Sequence, residues 1–486
     1  MPLPWAMHGV MLDASRQTES YVFYEALIPQ LAGWGFNTIL LHLADDQGCA
    51  VLLDSPRVLP TTGALTVPQW QALTLLASRH GIEVIPEVEC LGHTGYVTRL
   101  PEYAELREPP SRGGQFWSIC PTHPAALGVI REVLEAINTV FPGRFLHIGM
   151  DEADIGGSKR LKADLAERPL WRIFGDYTVE LNAIVRGFGR QTLAWGDHLL
   201  SSRQLMEMLP RDILVCNWHY GRGHSEDYAD SSRTLLGAGF QVIACPSGCA
   251  HGTQFVPHSD NVANIRDFDR ACRSLAHPTM KGMILTMWSG YRHLPEIGLP
   301  IMEYGGRCFS GEPLEFRQLM NHFVAQRYGM RDEAAATQAG GAIADLHEGH
   351  RRDLLELKMV TVENSSELET SVGAIQKLAA CYGTAAATLR AAAHDATVNA
   401  GEYGQWVFTA EFVRDLAELR LQEIAAGGRA IPAERDRLGR SFWKYARTWR
   451  SYLATRAEEP ALGQAPRFRP VAKDDNPAEH LALWRL

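Results

Sequence analysis

Two adjacent carboxylates, Asp151 and Glu152, directly follow an apolar run and a glycine in the stretch 145–154, FLHIGMDEAD. Two acids side by side in a pocket can be driven to different protonation states, so that one stays ionised while the other keeps a proton. That combination suits hydrolysis by general acid and base catalysis. A solvated acidic turn explains the segment better when it is taken by itself, so the rest of the chain must decide.

The elements that would position this pair alternate along the first 330 residues. Apolar runs predict strands at 6–11, 38–42, 83–86, 145–148, 192–195, 213–218, 241–244 and 282–287. Helical patterns lie between them, for example at 20–33, 67–80, 124–141, 170–188 and 261–275, and 313–328 predicts a closing helix with Pro313 in its first turn. Eight such units predict an α/β fold, a (β/α)8 TIM barrel. The alternative is an open doubly wound sheet, which the lack of a GxGxxG after the first run disfavours.

Polar and aromatic residues collect just after these runs. In chain order they are Asp13, Arg16, Asp45, Asp46, Glu89, His93, Asp151, Glu152, Trp195, Asp197, Trp218, Tyr220 and Trp288. The carboxyl ends of barrel strands meet on one face, where barrel enzymes build their sites. The sequence therefore predicts a single site at that face.

After Met330 the pattern changes to Ala, Leu, Glu and Arg at helical spacing, with almost no strand signal. We predict a catalytic barrel at 1–330, an all-α C-terminal domain at 331–455 and an extended tail at 456–486. Gly340-Gly341 and Gly427-Gly428 are predicted helix breaks. The helical part is expected to be a barrel brace or an oligomer interface, so a homodimer is possible.

Composition excludes several classes of function. A net charge of −9 argues against a nucleic-acid partner, and no apolar run is long enough for a membrane helix. The N-terminus has neither the basic nor the apolar part of a secretory signal. The nine scattered cysteines predict reduced, mostly buried thiols, hence a cytoplasmic protein, and no motif calls for a cofactor or a metal.

The segment His147-Ile148-Gly149-Met150-Asp151-Glu152 resembles the His-x-Gly-x-Asp-Glu signature of glycoside hydrolase family 20, the β-N-acetylhexosaminidases. Three other segments resemble the family in order: residues 12–16 (LDASR), 41–48 (LHLADDQG) and 86–93 (PEVECLGH). Trp195, Trp218 and Trp288 fall where the family places the indoles of its sugar pocket, and with them the matches span about residues 10–290. The chain looks like the branch in which the barrel comes first and a helical tail follows.

The resemblance implies substrate-assisted retaining hydrolysis of terminal β-linked GlcNAc or GalNAc in an oligosaccharide or glycoconjugate. The 2-acetamido oxygen would attack the anomeric carbon, with Asp151 orienting the acetamide and Glu152 acting as acid and then base. Because neighbouring residues in a strand point to opposite faces, the pair needs a distorted strand end, which Gly149 would permit.

The resemblance also implies binding roles. Arg16 would hold ring hydroxyls, and His93 with Asp45 or Asp46 would form a relay that tunes Glu152. Trp195, Trp218 and Trp288 would wall the acetamide slot, and Asp197 either supports that wall or caps a helix. His147 is expected to be a buried structural partner.

Two segments depart from the family pattern. The Tyr-x-Asp after the seventh strand is replaced by Ala244-Cys245-Pro246-Ser247-Gly248, so Tyr220 or Tyr291 would have to hold the acetamide oxygen. The Trp-Ser-Glu after the eighth strand reads Trp288-Ser289-Gly290, which removes a carboxylate that contacts the outer hydroxyls. Glu89 also replaces a shorter Asp.

Other functions remain open. One is a variant that releases a disaccharide or a 6-modified sugar. Another is a catalytically inactive sugar-binding barrel. A third is a metal-dependent hydrolase that uses His93, His147, Asp151 and Glu152 as ligands, although no clear zinc spacing is present.

Overall fold

The computed structural model describes residues 5–55, 57–110, 117–220, 225–249, 255–288, 294–312, 314–349, 365–427 and 431–449. The predicted tail at 456–486 lies outside the described residues.

Eight parallel strands form a closed barrel, which confirms the predicted α/β, TIM-barrel fold. They are β1 (Met7–Asp13), β2 (Thr38–Asp45), β5 (Glu83–Val88), β8 (Phe145–His147), β9 (Gln191–Trp195), β10 (Leu214–Trp218), β11 (Gln241–Cys245) and β13 (Met280–Met287). The barrel closes because β1 pairs with both β2 and β13. All eight predicted strands are present, with ends that differ by a few residues.

Several short strands lie outside the eight-stranded barrel. β3 (Gly48–Leu52) and β4 (Pro60–Thr66) extend the sheet beside β2, and β12 (Ser247–Cys249) pairs with β13. β6 (Arg107–Glu108) and β7 (Ser118–Ile119) form a separate two-stranded sheet.

Helices surround the barrel. They are α1 (Tyr21–Gly33), α2 (Val67–Arg79), α3 (Gly95–Thr98), α4 (Ala126–Val140), α5 (Lys159–Glu167), α6 (Leu170–Gly187), α7 (Asp197–Ser201), α8 (Arg203–Met208), α9 (Ser225–Gly237), α10 (Ser259–Leu275) and α11 (Leu299–Ser310). Several begin where the sequence supplies a cap: the Ser20 hydroxyl accepts the Phe23 N–H at α1, and Thr66 with Gln69 forms a capping box at α2.

The described residues after the barrel are helical: α12 (Phe316–Tyr328), α13 (Glu333–Gly349), α14 (Ser365–Ala392), α15 (Ala400–Ala425) and α16 (Pro432–Ala446). The expected helix start near Pro313 is wrong, since α12 begins at Phe316 and Pro313 lies outside the described residues. Gly427, with φ of 75°, ends α15 as expected.

The predicted break at Gly340-Gly341 is wrong, because both glycines lie inside α13. A Cβ atom at Gly340 would stand 2.6 Å from Asn321 Cα on the neighbouring α12. The glycine therefore permits close contact of two helices, and this packing outweighs its low helix propensity.

Two apolar layers hold the barrel. The inner layer contains the side chains that point to the barrel axis, among them Met11, Leu40, Ile85 and Ile284, and it includes Trp195 and Trp288 near the carboxyl ends of the strands. The outer layer packs strands against helices and continues without a break into α12–α16. Strands buried on both faces explain why their sequences read as continuous apolar runs.

Candidate active site

The turn after β8 separates the two central carboxylates. Gly149, Met150 and Glu152 have positive φ values of 67°, 88° and 48°. This left-handed backbone breaks the strand alternation, as expected, and lets Asp151 turn into the barrel while Glu152 reaches the rim. Two non-glycine residues in this region cost roughly 1–3 kcal/mol each, a kind of strain that clusters at functional sites.

Asp151 is buried in the barrel mouth, with 6% of its surface exposed. Burial raises the pKa of Asp151 to about 6; the carboxylates of Asp197 and Glu152 add to the rise and His93 opposes it. The buried Glu89 contacts Asp151, and its own pKa is raised well above its usual range by burial first and by Asp151 next. Glu89 is therefore the member of the pair that holds a proton, and it also accepts the Met150 N–H at 3.2 Å.

Glu152 has a different environment. Its side chain is 43% exposed, and its Oε2 lies 3.3 Å from His93 Nε2. Its backbone N–H donates to Asp197 Oδ2 at 3.1 Å. The cap of helix α7 is Gly196, so the helix-cap interpretation of Asp197 is wrong; the carboxylate instead fixes the turn that carries Glu152. His198 Nε2 accepts the next N–H, that of Ala153, a contact the sequence did not suggest.

His93 links Glu152 to the end of β2. Its Nδ1 lies 3.3 Å from Asp46 Oδ2 and 3.7 Å from Asp45 Oδ2. Burial opposes a charge on this ring, yet Asp45, Asp46 and Glu152 raise the pKa of His93 well above its usual range. The other Asp46 oxygen accepts the Gly95 N–H at 3.1 Å, so the carboxylate is held in place.

Arg16 is buried beside the same carboxylates. Its guanidinium pairs with Asp13 at 3.0 Å and with Asp45 at 2.6 Å, and it lies over the Trp288 ring, 5.0 Å from the centroid. The carboxylates raise the pKa of Arg16 despite its burial. A small cavity of about 50 Å³ borders Trp288 and Asp13 on this side.

The three predicted tryptophans lie on one side of the barrel mouth. The rings of Trp195 and Trp288 are 5.8 Å apart, and Trp218 lies 5.1 Å from Tyr220. Trp288 Nε1 donates to the Tyr220 hydroxyl at 2.6 Å, and Asp151 contributes to the electrostatics of that phenol. Tyr291 and Gly290 lie outside the described residues.

Buried polar residues inside the strands escaped the sequence analysis. His42 lies within β2 and Glu87 within β5, both fully buried, and Trp195 Nε1 donates to Glu87 Oε1 at 2.7 Å. His147, as expected, is buried, and its Nδ1 accepts the Gly149 N–H at 3.0 Å. The available signal was a charged residue inside a continuous apolar run, which is rare unless the charge is paired.

Three groups of side chains in the described part of the chain bring imidazole and carboxylate atoms within 4.8 Å of one another: His42, Glu87 and Glu89; Asp45, Asp46 and His93; His93, Asp151 and Glu152. Most of these carboxylates already lie at ion-pair distance from Arg16, His42 or His93. His147 belongs to none of the groups, so the four-ligand metal set considered above is not assembled. Function without a cofactor stays a prediction.

Comparison with known proteins agrees with this geometry. The model of the glycosyl hydrolase family 20 catalytic domain matches residues 5–251, about half of the chain. The chain belongs to glycosyl hydrolase family 20. A β-hexosaminidase of Vibrio furnissii is 32% identical over 244 residues, which cover 43% of this chain and 39% of that protein.

Two further comparisons concern one sequence relative and one solved structure. A lacto-N-biosidase of Bifidobacterium bifidum is 25% identical over 174 residues, 33% of this chain and 15% of that protein. The structure of a Streptomyces plicatus β-hexosaminidase variant in complex with GlcNAc superimposes with a TM-score of 0.51 at 22% identity, covering 70% of this chain and 69% of that one. That likeness shows the fold. The chain spans 39% or less of the length of the first curated relatives that it matches.

Proposed function

We propose that this chain is a retaining exo-β-N-acetylhexosaminidase that uses the acetamido group of its substrate as the nucleophile. The main support is the adjacent Asp151 and Glu152 at the barrel mouth, one buried and the other facing the rim. Such a difference in environment suits one carboxylate that binds and one that exchanges protons with solvent and substrate.

In the proposed mechanism the acetamide N–H donates to ionised Asp151, which turns the carbonyl oxygen toward the anomeric carbon. The positive charge that develops on the oxazolinium-like intermediate is stabilised by the same carboxylate. Glu152 donates a proton to the leaving oxygen and then, as a carboxylate, removes one from water. His93 contacts the Glu152 carboxyl and would adjust its protonation.

Binding would come from the surrounding side chains. Trp195, Trp218 and Trp288 provide apolar surface for the acetamide methyl and the sugar face. The Arg16 guanidinium offers donors to ring hydroxyls. Tyr220 is the proposed partner of the acetamide oxygen, since its hydroxyl lies beside Trp288 and near Asp151.

A panel of nitrophenyl glycosides tests the proposal. We expect hydrolysis of the β-linked 2-acetamido sugars, inhibition by a thiazoline that mimics the cyclic intermediate, and no turnover of the 2-hydroxy analogues. Equal turnover of glucosides and 2-acetamido glucosides would contradict the role of the acetamide. Binding without turnover of any member would favour the inactive sugar-binding barrel.

Release of a disaccharide is the second candidate. Gly290 stands where the family has a glutamate for the outer hydroxyls, so the sequence lacks that carboxylate. The named lacto-N-biosidase is also among the relatives. Comparing nitrophenyl lacto-N-bioside with nitrophenyl GlcNAc at equal concentration would distinguish the two candidates. An enzyme that releases a monosaccharide cleaves only nitrophenyl GlcNAc efficiently.

We propose a cytoplasmic location and a homodimer as secondary points. All nine cysteines are free, which suits a reducing compartment. No helix among the described residues is long and apolar enough to cross a membrane. Cell fractionation and sedimentation of the full chain test the two statements separately.

A further inference from the structure

A buried histidine below the site has a carboxylate at each ring nitrogen. His42 Nε2 lies 2.9 Å from Asp45 Oδ2, and His42 Nδ1 lies 3.1 Å from Glu87 Oε2. None of the three side chains is more than 1% exposed. The Asp45 contact has hydrogen-bond geometry, whereas the Glu87 contact is an ion-pair distance outside hydrogen-bond geometry. Two anions this close to the ring both favour its charged form. The arrangement is therefore that of a buried imidazolium between two anions.

One oxygen connects this imidazolium to the site. Asp45 Oδ2 is 2.6 Å from Arg16 Nη2, 2.9 Å from His42 Nε2 and 3.7 Å from His93 Nδ1. The same atom thus joins the guanidinium that faces the sugar hydroxyls and the imidazole that contacts Glu152. A change in the charge of His42 therefore alters how strongly the Asp45 carboxylate interacts with Arg16 and with His93.

We propose that Glu87 and His42 are positioning residues: Glu87 keeps His42 protonated, and His42 holds Asp45 in the ionised state and orientation that Arg16 and His93 require. Neither residue reaches the rim, so the proposed effect on Arg16 and His93 passes through Asp45. The inference rests on the proposed function, because the placement of Arg16 and His93 affects a rate only if the site hydrolyses a glycoside.

The charges around His42 support this direction. Burial opposes its charge, but Glu87, Asp45 and Asp13 raise the pKa of His42 to about 10. Asp13 faces it from β1, Glu89 approaches from β5, and His147 of β8 lies 3.6 Å from the other Glu87 oxygen. Because the pKa is raised, His42 is charged at neutral pH and loses its proton only on the alkaline side. Removal of the Glu87 charge lowers that pKa.

The kinetic test compares E87Q, H42Q and the double variant over the pH range in which the protein stays folded. In E87Q we expect the alkaline limb of kcat/KM to move down by about one pH unit or more, since His42 then deprotonates earlier. In H42Q we expect a lower kcat/KM at every pH, with no such shift. The double variant should have the same pH profile as H42Q, because the shift requires His42. A difference in rate between the two variants measures the separate contact of Glu87 with Trp195 Nε1.

A matched control removes a buried carboxylate elsewhere. Glu303 is 5% exposed and pairs with Arg307 at 2.7 Å on α11. E303Q should leave the pH profile unchanged. An E87Q profile that does not move, or that moves no more than the E303Q profile, overturns the inference.

A second measurement does not depend on activity. In protein labelled with 13C at histidine Cε1, the resonance lost in H42Q identifies His42. In the unmodified chain we expect this resonance to keep the chemical shift of an imidazolium up to alkaline pH. In E87Q we expect it to titrate at a lower pH. A neutral His42 near pH 7 in the unmodified chain refutes the inference. Absence of any glycosidase activity would instead refute the proposed function, while this titration still decides the state of His42.

Discussion

Asp151 and Glu152 are adjacent in the chain but have different surroundings, and the difference suits the different roles proposed for them. Asp151 contacts the protonated Glu89 and lies among other carboxylates in the barrel mouth. Glu152 is half exposed and lies beside His93. A carboxylate that must receive an amide N–H benefits from a dry, fixed position, whereas one that exchanges a proton with water needs access to solvent.

Replacement of Glu152 by Gln removes the proton donor and keeps the shape. We expect kcat to fall about 10²–10⁴-fold on substrates with poor leaving groups, because these need protonation as they depart. The loss should be much smaller on dinitrophenyl glycosides, whose leaving group departs as an anion. Steady-state kinetics on a series of leaving groups measures this. An equal loss across the series would contradict the acid role.

Asp151 should set the acid limb of the pH profile. Its pKa is raised to about 6 and it is needed in the ionised form, so activity should be present above that pH and fall as the pH drops through about 6. D151N should lower kcat about 10²–10³-fold, since an amide cannot stabilise the developing charge. It should also remove the limb near pH 6. A limb that persists in D151N would have to be assigned to another group.

The turn between β8 and the Asp151–Glu152 pair is the element on which the proposed chemistry depends. Gly149 has φ of 67°, and a Cβ atom there would lie 2.0 Å from Glu89 Oε2. A side chain at this position would meet both backbone strain and the carboxyl that contacts Asp151. The glycine in the family signature therefore has a physical reason in this structure.

We expect Gly149→Ala to lower kcat/KM strongly and to destabilise the fold by about 1–3 kcal/mol, the cost of a non-glycine residue in a strained region. Gly128→Ala is the matched control: it lies in α4, a Cβ there has nothing within 4 Å, and alanine should stabilise the helix by about 0.5–1 kcal/mol. Urea unfolding and kinetics on both variants test the pair. Normal activity in Gly149→Ala would mean that the turn tolerates a different geometry.

Sequence patterns predicted the strands and most of their polar ends because both signals are local. A continuous apolar run identifies a strand buried on both faces, and the residues that follow it must meet at one rim. The pairing of Glu87 with His42, or of Asp197 with the Glu152 N–H, joins residues 45 positions apart and depends on the register between strands. Such contacts leave no periodic trace in one sequence.

The barrel and the helical region form one folded body with a shared apolar core. Two segments that follow barrel strands contact the helices, one at Phe255 and one at Glu296. Phe255, just after β12, packs against Phe412 of α15 and Phe442 of α16 at ring distances of 5.3 and 6.1 Å. Trp406 of α15 is fully buried and donates to the Tyr328 hydroxyl at 2.9 Å. These contacts lie on the side of the barrel that carries the site, and the role of the helices as a brace stays a prediction.

Glu296 is the polar centre of this attachment. It follows Trp288 by eight residues, and its carboxylate accepts from Arg327 Nε and Nη2 at 2.8 and 2.9 Å and from the Tyr328 hydroxyl at 2.8 Å. Its backbone N–H donates to Gln405 Oε1 of α15 at 3.0 Å. The chain that leaves Trp288 is therefore tied to both α12 and α15 within a few residues.

Replacement of Glu296 by Ala should weaken the attachment and, with it, the wall formed by Trp288. Loss of one partner of a largely buried ion pair costs about 3 kcal/mol, so we expect a lower free energy of unfolding. We also expect KM to rise more than kcat falls, because sugar binding depends on the wall whereas proton transfer depends on the turn after β8. Asp415→Asn removes a partly exposed pair on α15 and should change stability by about 1 kcal/mol or less, with unchanged KM. A destabilised Glu296→Ala variant with a normal KM would show that the helices support the fold without shaping the sugar site.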